Sequence, residues 1–156
     1  EPALDYLANT DEVFDIIFCE QELNHLTKDE ILMFLKMAWE HLREEGLLIV
    51  HGLNGANPIT GSEALAQNFD HFNTFTEYTL RQILALSGFG DVKVFGLNLY
   101  VFRNNPFNYV AAAISFVHTL YFIIMFKLYG KFNRIFTKKI AAVGRKKLTP
   151  QPQPHG

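Results

Sequence analysis

The spacing of apolar positions changes several times along this chain, and each change marks an element. Phe14-Asp-Ile-Ile-Phe-Cys19 is a short apolar run rich in strand formers, which predicts a buried strand. Thr27-Lys-Asp-Glu30 has the form of a capping box: the Thr hydroxyl accepts the Glu30 N–H and the Glu30 side chain reaches back. Behind it Ile31, Phe34, Leu35, Ala38 and Leu42 recur at helical spacing, so a helix is predicted over 28–43, ended by Gly46. Leu47-Leu-Ile-Val50 reads as a second buried strand. Strand, helix and strand with short joints make the right-handed crossover of an open parallel sheet. Residues 52–73, rich in Gly and Asn, read as a long loop. Thr76 then caps a helix with Leu80, Ile83, Leu84 and Leu86 inward, closing at Gly88, and Asp91–Leu97 alternates as a strand. Residues 106–136 are apolar and then basic, and are expected to be a helical insertion. Thr137–Arg145 is the last expected strand, with Ile140 and Ala142 on one face. The fold class is therefore α/β, in one domain over residues 1–147. Residues 148–156, with Pro at alternate positions, predict a disordered tail.

Composition narrows the class. Hydrophobic residues make up 49% and charged ones 19% of 156, the profile of a globular domain with a substantial core. The single cysteine, Cys19, excludes a disulfide framework and a cysteine-rich zinc site, and suits a reducing compartment. No signal peptide pattern is visible, and the Glu-Pro start without Met reads as a cut in a longer protein. The net charge of −2 hides a division. All sixteen acidic residues and four basic ones lie between Glu1 and Asp91, a net −12; from Val92 onward there are ten basic residues and no acidic one. Such asymmetry points to an anionic surface as partner of the basic part.

Four stretches in order carry a resemblance. Phe14–Leu26, His41–Val50 (with its Glu-Glu-Gly-Leu-Leu-Ile-Val), Phe75–Phe89 and Ile135–Lys146 resemble the fourth strand, the approach to the fifth, the helix before the sixth and the antiparallel seventh strand of class I S-adenosylmethionine-dependent methyltransferases. The resemblance implies a Rossmann-like sheet comprising strands four to seven, the C-terminal half of that fold, with 106–136 inserted before the last strand. The glycine-rich turn and the acidic residue that hold the cofactor's methionine and ribose parts would precede Glu1, so the chain by itself is expected to bind S-adenosyl-L-methionine poorly and to be inactive alone.

The resemblance also implies site residues. Ligands of open α/β sheets bind beyond the strands' carboxyl ends, which makes Cys19, Glu20 and Gln21 candidate cofactor contacts, while Ala3 and Leu4 would border the adenine. Cys19 reads equally well as a small buried residue ending a strand. His25 and His71 are the candidate bases, since imidazole titrates near neutrality; each reads also as a histidine bonded locally. Asn54, Asn57 and His71 are the substrate-side candidates, on segments resembling ones found in saccharide- and cell-envelope-associated methyltransferases. Related ubiquinone-pathway enzymes carry Glu-x-x-Glu-His for a divalent metal. Here Gln21 and Asn24 replace both carboxylates, and amides are weak ligands for hard cations, so no metal site is expected. His51, His41, His118 and Trp39 read as structural.

Val110–Phe126 has no charge and reaches the lower length limit of a membrane span. Its flanks must join neighbouring strands, so a single crossing is disfavoured and a helix on the surface, a re-entrant hairpin, an oligomer interface or a lid remain. Lys127, Lys131, Arg134 and Lys138 follow at helical spacing, which would align them on one face if the helix continued past Gly130. That pattern suits an anionic membrane surface. Nucleic acid is disfavoured, because the cations are interleaved with large apolar residues. The leading expectation is methyl transfer to an oxygen, less readily a nitrogen, of a small or lipid-linked acceptor by a cytoplasmic protein peripheral to the membrane. The alternative is a non-enzymatic membrane-surface module or a degenerate methyltransferase fold.

Overall fold

The computed structural model describes residues 3–97 and 105–147. Four strands, β1 (Phe14–Glu20), β2 (Leu42–Leu53), β3 (Phe89–Leu97) and β4 (Lys139–Lys146), form one sheet of order β1-β2-β4-β3. β1 and β2 are parallel, and β4 runs antiparallel to both of its neighbours. The carboxyl ends of β1, β2 and β3 therefore share one edge, where β4 begins. β4 can sit between two strands because its core is small: Ala141, Ala142 and Gly144 lie at its centre, and a Cβ on Gly144 would come 2.9 Å from Cβ of Phe89.

Helices α1 (Ala3–Asn9), α2 (Lys28–His41), α3 (Pro58–Gln67), α4 (Glu77–Leu86) and α5 (Phe107–Leu128) complete the chain. The buried cluster joins Ile31, Phe34, Leu35 and Ala38 of α2 and Leu80 and Leu84 of α4 to Cys19, Leu48, Val50, Ile140 and Ala142, which share one sheet face. The opposite face has no such layer. On β1 it carries Ile16 and Phe18, 55% and 59% exposed. The expectation of a buried first strand is thus corrected: among the described residues β1 pairs only with β2, and one of its faces is open.

Both capping boxes form. Thr27 accepts from Glu30 N–H while Glu30 takes the Thr27 N–H, and Thr76 and Thr79 do the same for α4. α2 stops at His41, two residues early, because Leu42 is already extended. Gly46 does not end the helix. It lies in the irregular entry to β2, where a Cβ would come 2.8 Å from the Arg43 carbonyl oxygen and Glu45 has φ 61°. Leu86 is 70% exposed rather than inward, since two helical residues past Leu84 face the opposite side. Gly88 closes α4 with φ 88° as expected.

The predicted loop 52–73 contains α3. Its signal was present: Asn57 accepts from the N–H groups of Ile59 and Thr60 and Pro58 follows as the first helical residue. Only Thr60 and Ala64 are buried on it, so the apolar period was too weak to reveal it. α5 ends at Leu128 and does not continue through the basic residues. Gly130 has φ 70°, its N–H bonds Lys127 O, and the Lys131 N–H bonds Phe126 O, the paired bonds of a Schellman stop. The alignment of Lys127, Lys131, Arg134 and Lys138 on one helical face is therefore corrected: only Lys127 is helical. β4 starts at Lys139, two residues later than expected. The Pro-rich tail lies outside the described residues.

Candidate functional site

β1 ends at Glu20, and Gln21 turns the chain off the sheet in a left-handed conformation (φ 57°) with its N–H bonded to His51 O at 2.7 Å. A single 3-10 turn, Glu22–Asn24, then delivers His25. The segment after α3 is clamped onto this turn. Asn24 O accepts from the N–H groups of Phe72 and Asn73, and the Asn73 side chain donates to Leu26 O. Distant residues meet as a result. His25 Nδ1 lies 3.1 Å from Asp70 Oδ2, and the rings of His25 and His71 stand edge to face at 4.6 Å. His71 Nδ1 lies 3.0 Å from Ala64 O. A carbonyl only accepts, so Nδ1 of His71 carries a proton, and in the neutral ring Nε2 then has the lone pair. The neutral His25 ring with its proton on Nδ1, facing Asp70, is arranged the same way.

The cluster thus offers two imidazole lone pairs beside a carboxylate. Such a group can take a proton, and it is also a borderline-metal donor set: one ligand atom from each of His25, Asp70 and His71 lies within 4.8 Å of the others. Asp70 is the member that sequence reasoning missed. It stands next to the candidate His71 in the sequence, but its partner His25 is far away in the chain.

A second cluster lies beside it at the strand ends. Glu20 Oε1 is 3.2 Å from Nδ1 of the buried His51 and 4.0 Å from Lys139 Nζ. Burial first, then the Lys139 charge, hold the His51 pKa below the ordinary value against the opposing pull of Glu20. Among the described residues its Nε2 and both polar side-chain atoms of the buried Asn24 have no hydrogen-bond partner. Cys19 is buried, and burial pushes its thiol up to about 11, so it is no nucleophile.

Along the free side of β1 runs a groove of about 420 Å³, lined in part by Ala3, Tyr6, Ile17, Cys19 and Glu20. Of the residues proposed to touch cofactor, Ala3, Cys19 and Glu20 meet there. Leu4 packs against the core instead, and Gln21 makes the turn without lining the groove.

The substrate-side candidates Asn54 and Asn57 are corrected by their bonding. Asn54 is fully buried; its Nδ2 donates to Ile135 O and Thr137 O and its Oδ1 accepts from Ala56 N–H. Asn57 caps α3 and donates to Phe136 O. Both tie the end of β2 to the approach of β4. Elsewhere, His41 bonds Glu12 O, Trp39 packs under Lys146, and His118 lines a groove between α3 and α5.

Solved structures share this fold. A methyltransferase dependent on S-adenosylmethionine from Archaeoglobus fulgidus matches 94% of this chain with a TM-score of 0.65 at 18% identity. The fold is that of the S-adenosylmethionine-dependent methyltransferases. A possible histamine N-methyltransferase from Thermotoga maritima matches 90% at TM-score 0.58 and 14% identity. Phosphoethanolamine N-methyltransferase 2 of Haemonchus contortus, solved with S-adenosyl-L-methionine, matches 86% at TM-score 0.50 and 12% identity. This chain spans 66%, 61% and 34% of those three chains. The β1-β2-β4-β3 order with an antiparallel β4 is what the resemblance to strands four to seven of the methyltransferase fold implied. No protein-family profile and no curated protein sequence matches the chain.

Proposed function

We propose that the protein transfers a methyl group from S-adenosyl-L-methionine to an oxygen, less readily a nitrogen, of a small or lipid-linked acceptor. The observation that carries this reading is the His25–Asp70 pair beside His71, set at the carboxyl edge of a methyltransferase-type sheet. The groove along β1 fits one flank of the cofactor: an apolar slot bordered by Ala3, Tyr6 and Ile17, with the Glu20 carboxylate at the strand end where a hydroxyl-bearing group can be bound. When bound, S-adenosylmethionine supplies an electrophilic methyl group on a sulfonium sulfur. Asp70 holds the His25 ring through Nδ1, which leaves Nε2 as the base for the acceptor hydroxyl proton, and Ala64 O fixes His71 through its Nδ1, leaving a second such nitrogen. The rest of catalysis is positioning the acceptor in line.

Calorimetry with S-adenosylmethionine and labelled-methyl incorporation into a cell extract test the proposal. The test uses the longer protein that includes the glycine-rich half expected before Glu1; it should bind the cofactor and label an acceptor, whereas this chain by itself should bind poorly. Glu20→Ala should weaken cofactor binding. His25→Gln should leave binding nearly unchanged and lower the methylation rate by about 10²-fold or more, the usual contribution of a positioned base. Failure of the longer protein to bind the cofactor would sink the reading in favour of the non-enzymatic alternative.

A further inference from the structure

Methyl transfer leaves one part of the molecule unexplained. A helix on a soluble protein turns its apolar stripe inward and its polar one to water. α5 is apolar on both sides. Its half-covered side mixes Ser115 and Thr119 with Ala111, Ile123 and the Phe122 and Phe126 rings, which rest on Phe136. The outward positions Tyr109, Phe116, Val117, Leu120, Ile124 and Leu128 are each more than half exposed. None of the helix's 22 residues is buried, and it is long and apolar enough to cross a membrane. At its end Lys127, Lys131, Arg134 and Lys138 are exposed, and among the described residues none of their side chains forms an ion pair or hydrogen bond. Glu77, which reaches this stretch, is taken by the backbone N–H of Arg134. No acidic residue follows Asp91.

We propose that this surface docks the protein on an anionic lipid bilayer, with α5 lying in the plane of the interface. Its outward side chains enter the acyl boundary and the four cations meet headgroups. Topology opposes a crossing. β3 and β4, which α5 connects, are neighbours in one sheet and meet at the same edge. The helix runs along α3, sharing with it a groove of about 380 Å³ that includes Ile59, Thr60, Val110 and Ile114. Charge decides between lipid and a second copy of the chain, because two such surfaces face to face would crowd like charges, whereas an anionic bilayer neutralises them. The docking stands independently of the methyl-transfer reading.

Co-sedimentation with vesicles of phosphatidylcholine, with and without phosphatidylserine, tests it and reads no methylation. Binding should require phosphatidylserine and weaken with added salt. Each cation near such a surface is worth about a five-fold change in partitioning, so replacing Lys127, Lys131, Arg134 and Lys138 by Gln should weaken binding by some hundreds of fold. Phe116→Glu with Leu120→Glu should abolish binding while leaving the urea midpoint of the free protein unchanged. Binding that survives the four-fold Gln replacement overturns the proposal. So does an absence of vesicle binding together with a dimer, seen by sedimentation equilibrium, that Phe116→Glu dissociates.

Discussion

α2 and α5 are both helices rich in large apolar residues, yet they meet opposite surroundings. α2, 14 residues long, buries Ile31, Phe34, Leu35 and Ala38 at helical spacing against the sheet and turns Lys28, Lys36 and Glu40 outward. α5 has 22 residues and buries none; the Phe122 and Phe126 rings rest on Phe136, while Phe116, Val117, Leu120 and Leu128 are more than half exposed. Apolar content is therefore a poor guide to where a helix sits. The phase of the apolar positions decides which side needs a partner, and α5 keeps large apolar side chains on a side that the described residues do not cover.

Unfolding in urea would test this contrast most sharply. Leu35→Ala should cost about 2–5 kcal/mol, the range for emptying a fully buried leucine site. Leu120→Ala should fall within about 0.5 kcal/mol, as expected of an exposed site. Equal costs would break the comparison, since they would mean that α5 is packed in solution. Next in size is Asn54→Ala. It strips two donors and an acceptor from the joint between β2 and the segment leaving α5, leaving buried carbonyl oxygens unpaired, and should cost about 1–3 kcal/mol. A negligible loss would show that this joint is loose and that α5 is tethered weakly at its base. Thr27→Ala removes the α2 cap and should lower stability by about 1 kcal/mol, measured the same way.

The smallest effect concerns pH. The folded pKa of His51 lies below its ordinary value of 6.5, so the unfolded chain binds a proton that the folded one refuses. The His51 contribution to stability should be complete above that value, shrink as the pH falls below it, and level off beneath the lowered folded pKa. His51→Gln should flatten this part of the pH dependence in urea midpoints; an unchanged slope would mean that the strand-end cluster is more hydrated than its burial indicates. Cys19 should resist alkylation at mildly alkaline pH in the folded protein and react when it is unfolded, because its thiol is pushed up to about 11.

Much of the frame was legible from local pattern. The two threonine caps, the Leu80 and Leu84 face, the stop at Gly88 and the Ile140–Ala142 face are short-range features, and each formed as read. α3 was missed because its signature is a cap and a proline with little apolar period behind them. The over-long reading of α5 came from following cation spacing past Gly130, although that glycine supplied the signal for a stop. At the site, His25 and His71 were legible as residue types in suggestive segments. Asp70 was not, and Asn54 and Asn57 were taken for substrate-side groups when their amides are bonded to the approach of β4.

The sequence by itself determined the order of the four strands with α2, α4 and α5 between them, the threonine caps of α2 and α4, the glycine that ends α4, and the division of charge at Asp91. These depend on side chains within a turn or two of one another, so their energetics are present in any short window. Only the tertiary structure decided that one face of β1 stands open, that Glu20 leans on a buried His51, and that Asp70 reaches His25. Those contacts depend on the hydrogen bonds of Asn24 and Asn73, which close a long stretch of chain upon itself. Loop closure of that kind is settled by what else in the fold offsets its entropy, and not by the residues at its two ends.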